Sequence, residues 1–157
     1  WSFQLPLAQV DSLRCEEVLD KPLPEMHIRA SITALRYANK TGSRLFVPVA
    51  PLRSGPGRFP AERRHDLGID KGYCDTDSLT LHLPEGYVVE ALPKSVTIEN
   101  RFGKIAFEAL CSGDRLHIRI RLLRRSGRYP QSEYAAFREF MQAVDRVYSA
   151  KIVLRKV

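Results

Sequence analysis

The sequence predicts a mainly β fold, an antiparallel β-sandwich or open barrel with one C-terminal amphipathic helix followed by a short closing strand. Three observations predict it. Met26, Ile28, Ala30, Ile32 and Ala34 alternate with His27, Arg29, Ser31 and Thr33, the two-residue period of a half-buried strand. That alternation returns in Leu79, Leu81 and Leu83, in Ile105 and Phe107, and in Leu116, Ile118, Ile120 and Leu122, with turn residues between the runs. The period then changes to three and four residues over Tyr134, Phe137, Phe140, Met141, Val144, Val147 and Tyr148. Many strands at close spacing with one late helix fit layered antiparallel sheet with the helix over an edge or end.

In chain order, residues 1–25 carry Pro6, Pro22 and Pro24 and read as an irregular lead-in or linker, with room for one strand between Asp11 and Leu19. Residues 26–157 read as a β-sandwich-like domain. Its first strand, 26–34, is followed by the turn Asn39-Lys40-Thr41-Gly42 and by Leu45, Val47 and Val49, which suggests a hairpin between the two runs. Pro48 donates no ladder hydrogen bond, so the second arm is expected to lie at an edge or end there. Residues 50–66 hold Pro51, Gly55, Pro56, Gly57 and Pro60 among four arginines and read as a long exposed loop, the kind of segment that often carries function.

Beyond that loop, Gly72 to Tyr87 reads as two strands joined by Pro84-Glu85-Gly86. Ser95 to Asn100, Ile105 to Cys111 and Leu116 to Leu122 follow, the last two joined at Ser112-Gly113-Asp114. Pro130 stops the extended run and Ser132 is a candidate N-cap for a helix of about four turns. Lys151 to Lys156 then closes the chain as a strand. The aromatic stripe of the helix is expected to dock on its own sheet.

A chain of 157 residues with 44% hydrophobic and 27% charged residues is long enough to bury about 68–70% of its unfolded surface without disulfides or metal. Its apolar runs fall short of the ~20 residues that cross a bilayer as a helix, so it is not expected to be membrane-embedded. It begins with Trp1 and is expected to be a piece of something larger. Lysine and arginine exceed acids by 25 to 18, a net charge of +7, which is compatible with a polyanionic partner and equally with solubility. Cys15, Cys74 and Cys111 are odd in number and far apart, neither a disulfide framework nor a CxxC pattern.

The candidate chemistry is sparse. His117 to Arg128 is the densest basic run. If extended, it sets His117, Arg119 and Arg121 on one face, and a turn after them adds Arg124, Arg125 and Arg128 near Tyr129. These five arginines are the candidate contacts for a polyanion or an acidic partner, and their alternation with Ile and Leu is equally that of the wet side of a half-buried strand. RNP, zinc-finger and helix-turn-helix signals are lacking, which argues against nucleic acid. Asp70, Asp75 and Asp77 offer oxygen ligands without the order of a calcium loop and are read as turn and edge residues. His27, His65, His82 and His117 lack paired ligand spacing. No metal or cofactor is expected. A cysteine hydrolase would have to draw on Cys74 or Cys111, His82 or His117, and Asp75 or Asp114, with no spacing signal behind the combination.

Several phrases stand in a suggestive order: Arg44-Leu45-Phe46-Val47-Pro48-Val49, Gly72-Tyr73-Cys74-Asp75-Thr76-Asp77, Leu83-Pro84-Glu85-Gly86-Tyr87 with Leu92-Pro93-Lys94, Gly127-Arg128-Tyr129-Pro130, Tyr134-Ala135-Ala136-Phe137-Arg138-Glu139-Phe140 and Lys151-Ile152-Val153-Leu154. Together they resemble the C-terminal β-rich domain of unknown function found in bacterial multidomain transglutaminase-like proteins, over roughly residues 26–157. The resemblance implies a non-catalytic module in a periplasmic or cell-surface setting. Its implied partner is an upstream papain-like core of the same parent chain, where the family's Cys-His-Asp machinery lies. No catalytic residue of that core has a counterpart here. The module would position or regulate the core, or bind an acidic cell-envelope or protein partner. A stand-alone polyanion-binding module and an unrecognised cysteine hydrolase are the alternatives.

Overall fold

The computed structural model of the protein describes residues 7–157, and the chain divides into two compact units, 1–37 and 38–157. The part of the expected lead-in that falls on residues 1–6 lies outside the described residues.

The first unit is a β-hairpin of β1 (Ala8–Val18) and β2 (Glu25–Ala34), paired antiparallel from Ala8 opposite Ala34 to Val18 opposite Glu25, with a bulge at Asp11. The strand expected at 26–34 is present, but its partner is β1 and not the run at 44–49. Alternation marks which face of a strand is apolar; it does not name the neighbour. Register gathers Val10, Leu13, Cys15, Ile32, Ala30, Ile28 and Met26 on one face. The other face carries Arg14 directly opposite Arg29. Leu13 and Met26 remain more than 60% exposed.

The second unit holds β3 (Asn39–Thr41), β4 (Arg44–Pro48), β5 (Leu67–Ile69), β6 (Tyr73–His82), β7 (Tyr87–Ala91), β8 (Val96–Asn100), β9 (Gly103–Ser112), β10 (Arg115–Arg124), β11 (Gly127–Tyr129), α1 (Tyr134–Tyr148) and β12 (Lys151–Lys156). They form two four-stranded antiparallel sheets, in the orders β6-β10-β9-β8 and β3-β4-β12-β7, and a two-stranded pair of β11 with β5. The mainly β fold with one late helix and a closing strand is therefore present, as several open antiparallel sheets; among the described residues none closes into a barrel.

The β9–β10 hairpin turns where expected. Gly113 takes a φ of +60°, the left-handed dihedral that a two-residue turn needs at its first central position. The segment Gly72–Tyr87 resolves differently: Pro84-Glu85-Gly86 does turn the chain, yet β6 and β7 enter different sheets. Asn39–Thr41, read as turn, is a short strand with the turn beginning at Gly42. Pro48 ends β4 as expected, although β4 lies inside its sheet, because the three-residue β3 stops before reaching that proline.

A 3-10 turn over Gln131–Glu133 precedes α1, so Glu133 and not Ser132 occupies the N-cap position, without a side-chain cap. The helix buries Tyr134, Phe137, Phe140, Met141, Ala143, Val144 and Val147, the stripe seen in the sequence. It lies against the inner side of β8 and β9: Ala143 and Val147 share a cavity lining with Val96, Ile98 and Phe107. Phe102 meets Phe137 edge-on at 5.5 Å and Tyr129 at 4.7 Å. Aromatic pairs of this kind add about 0.5–1.5 kcal/mol to what burial supplies. In the second sheet Val47, Ile152 and Leu154 are buried in the same way.

Candidate functional site

Strand alternation sorts the charge of the β6-β10-β9-β8 sheet between its two faces. On β10, Leu116, Ile118, Ile120 and Leu122 are buried on the inner side, which leaves Arg115, His117, Arg119 and Arg121 exposed on the outer one. Register sets Thr76, Ser78 and Thr80 of β6 beside Arg121, Arg119 and His117. The Thr80 hydroxyl lies 3.3 Å from His117 Nδ1. On the β9 side, Arg119 faces Glu108 and Arg121 faces Ala106. Among the described residues neither Arg119 nor Arg121 makes an ion pair, whereas Arg115 has Asp114 at 4.0 Å.

The five arginines of the basic run do not gather. Extended phase continues to the end of β10, so Arg124 falls on the inward side, half-buried, with its guanidinium 5.8 Å from the Tyr73 ring centre. Its Nε is buried without a hydrogen-bond partner among the described residues. Arg125 is committed to structure, donating to the Asn100 carbonyl and, at 3.0 Å, to Glu99. Lys104 and Arg125 together hold the Glu99 carboxyl below its ordinary pKa, Lys104 contributing most. Arg128 is exposed on β11, opposite Gly68. The turn expected to carry Arg124 begins only after it, which is why Arg119 and Arg121 share a face that Arg124, Arg125 and Arg128 do not join. Arg115 and the hydroxyl row of β6 were missed, and only the cross-strand register could have shown them.

The aspartates of β6 point the other way. Arg53, from the segment after β4, donates from Nε and Nη2 to both oxygens of Asp77 at 2.7 and 2.8 Å, and from Nη1 to Asp75 at 2.7 Å. The hydrogen bond to Asp77 raises the Arg53 pKa, against an opposing effect of burial. β6 is an edge strand, and inward-pointing charge is one way such an edge is kept from pairing with another chain. Asp75 and Asp77 are thus ion-pair partners, while Asp70 stays exposed. Among the described residues no group of three side chains is placed to hold a metal ion.

The 50–66 segment is exposed along much of its length but strapped to α1 and to the 3-10 turn before it. The Tyr134 hydroxyl donates to the Pro60 carbonyl at 3.0 Å, Arg138 to that of Ala61 at 3.4 Å, and the Gln131 side chain to that of Arg63 at 2.8 Å. Phe59 stacks edge-on against Phe137 at 5.4 Å. Two hollows lie between strap and helix, one of ≈ 270 Å³ bordered by Phe59, Met141 and Asp145, the other of ≈ 630 Å³ bordered by Arg63, Arg64, Ser132 and Tyr134.

Cys15, Cys74 and Cys111 are free and exposed. The Cys111 thiol donates to the Gly113 carbonyl at 3.6 Å, and His82 Nδ1 stands 3.8 Å from Asp114 in open solvent. Among the described residues no hydrogen bond joins a cysteine to a histidine.

A family model described as a domain of unknown function with a solved structure, DUF3858, matches residues 43–154, nearly all of the second unit. The chain belongs to the DUF3858 family. No curated protein matches it. Among solved structures, a candidate protease from Parabacteroides distasonis superposes on the DUF3858 chain with a TM-score of 0.58 at 12% identity, over 70% of this chain. That likeness is one of fold. The chain spans 23% of the length of that larger protein.

Proposed function

We propose that this DUF3858 domain is a non-catalytic accessory module of a larger exported protein with a transglutaminase-like or protease core, positioning or regulating that core or engaging a cell-envelope partner. The observation that carries the reading is one of proportion. A similar fold occupies 23% of a longer chain described as a candidate protease, the share expected of one module among several. The exposed thiols, unpaired with any histidine among the described residues, are consistent with it, since a catalytic cysteine needs an adjacent base or a site that lowers its pKa.

The test is made on the purified chain. Iodoacetamide should label Cys15, Cys74 and Cys111 at the rate of an ordinary free thiol at neutral pH, and neither casein cleavage nor amine incorporation into glutamine substrates should exceed background. One thiol reacting a hundredfold faster than the others, or turnover abolished by its alkylation, would overturn the accessory reading. Fractionation of cells of the source species tests the export part: recovery with the cytoplasm alone would remove it.

A further inference from the structure

We infer that the outer face of β6 and β10 binds a linear acidic polysaccharide through Arg115, Arg119 and Arg121, with Thr76, Ser78 and Thr80 as neighbouring polar contacts. The inference gives chemistry to the envelope-partner arm of the accessory reading and rests on it for its setting, not for its geometry.

Sorting of charge is the first argument. β6 carries two aspartates, and both fall on the inner side, where Arg53 neutralises them. The outer side of β6 shows only Cys74, Thr76, Ser78, Thr80 and His82, so neither strand puts a carboxylate on the strip between β6 and β10, and Asp114 meets it only at the turn end, beside His82 and Arg115. Two acids border it, Glu108 across Arg119 on β9 and Asp114 in the β9–β10 turn, 4.0 Å from Arg115, while Glu99 of β8 is already claimed by Lys104 and Arg125.

Spacing is the second. Alternate residues of an antiparallel strand lie about 7 Å apart, so Arg115, His117, Arg119 and Arg121 make a straight row about 20 Å long. A straight, regularly spaced row suits a chain with repeating anionic groups better than it suits one small anion. Guanidinium groups present forked donors to carboxylate or sulfate. Hydroxyls beside them offer partners for sugar hydroxyls.

Composition of the face selects among polyanions. It carries no Phe, Tyr or Trp, so the aromatic platforms on which single-stranded bases stack are missing. Sugar carboxylates or sulfates remain the best match.

The experiment measures binding of polygalacturonate and of heparin to the purified chain as salt rises from 50 to 300 mM. In Arg119→Gln/Arg121→Gln, affinity should fall at least tenfold at low salt and the log–log salt slope should drop by about 1.4, at ~0.7 per lost charge contact on a flexible polyanion. The control Arg14→Glu/Arg29→Glu changes total charge more but lies on the hairpin, and it should bind within twofold of the parent. Equal losses in both variants, or no binding at 50 mM, overturn the inference. So does tighter binding of oligo-dT or poly-glutamate than of either polysaccharide at matched charge. Unchanged melting of the glutamine variant, whose side chains are exposed, excludes a folding artefact. Because catalysis is not measured, failure here leaves the thiol test to decide the accessory reading on its own.

Discussion

Arg53 grips both carboxylate oxygens of Asp77 and one of Asp75, and so fastens the strap that crosses α1 to the edge strand of the sheet beneath it. The pairs are half-buried, and their forked geometry is of the kind that contributes measurably. Arg53→Ala should cost about 1–2 kcal/mol in urea unfolding, with Arg53→Lys restoring less than half because an ammonium cannot fork. Trypsin should cut after Arg58, Arg63 or Arg64 several-fold faster in the alanine variant. An unchanged urea midpoint together with an unchanged digestion rate would show that the clamp does not hold the strap.

Glycine is required at two positions for different reasons. A Cβ at Gly103 would run into the Leu123 carbonyl oxygen across the ladder and stand 3.1 Å from Phe140 Cζ, so Gly103→Ala should prise β9 from β10 and cost about 2–3 kcal/mol. At Gly113 the space is open and only the backbone objects, with φ at +60°. Gly113→Ala should cost about 1–2 kcal/mol. Urea midpoints in the reverse order would mean that the β9–β10 contact relaxes more readily than its geometry implies.

The strands, the helix and the closing strand were legible because each buries one face, and burial writes its period into the sequence: Leu116 to Leu122 is buried at every second residue, and Tyr134 to Val147 at every third or fourth. Partners were not legible. The run 26–34 shows the same alternation whether it meets 8–18 or 44–48. Nothing in Pro84-Glu85-Gly86 says that the chain is passing from one sheet to another. The site was half legible for the same reason. Arg119 and Arg121 follow from phase alone, but Arg124 turns inward because β10 continues two residues beyond Leu122. Arg53 meets Asp77 across 24 residues, and no local pattern connects them.

The hairpin and the second unit should part in stability. Every buried hydrophobic among the described residues lies between Val47 and Leu154, so the core belongs to 38–157. A two-stranded hairpin by itself is marginal in water. A chain of residues 38–157 should therefore unfold cooperatively within a few degrees of the parent, and amides of β1 and β2 should exchange well before those of β9 and β10. Loss of cooperative unfolding on removing 1–37 would show that the hairpin completes the core.

Alkaline pH should weaken the fold through Tyr148, at the C-terminal end of α1. Burial pushes its phenol pKa up to about 12 from the ordinary 10, with Arg53 working against the shift and Asp77 reinforcing it. Tyr37, in the other unit, is likewise raised to about 12 by burial. A raised folded-state pKa means that the unfolded chain releases its proton first. The stability is whole below pH 10 and drains away as pH climbs from 10 towards 12. Tyr148→Phe should remove part of this slope, because phenylalanine has no proton to release in either state. Absorbance at 295 nm supplies the direct reading. In the native state Tyr37 and Tyr148 should ionise only as pH approaches 12, and the step that disappears in Tyr148→Phe belongs to Tyr148. A difference between parent and Tyr148→Phe that ionises below pH 11, while the far-ultraviolet signal is still native, would show that water reaches the Tyr148 hydroxyl freely and that the end of α1 beside Arg53 is open.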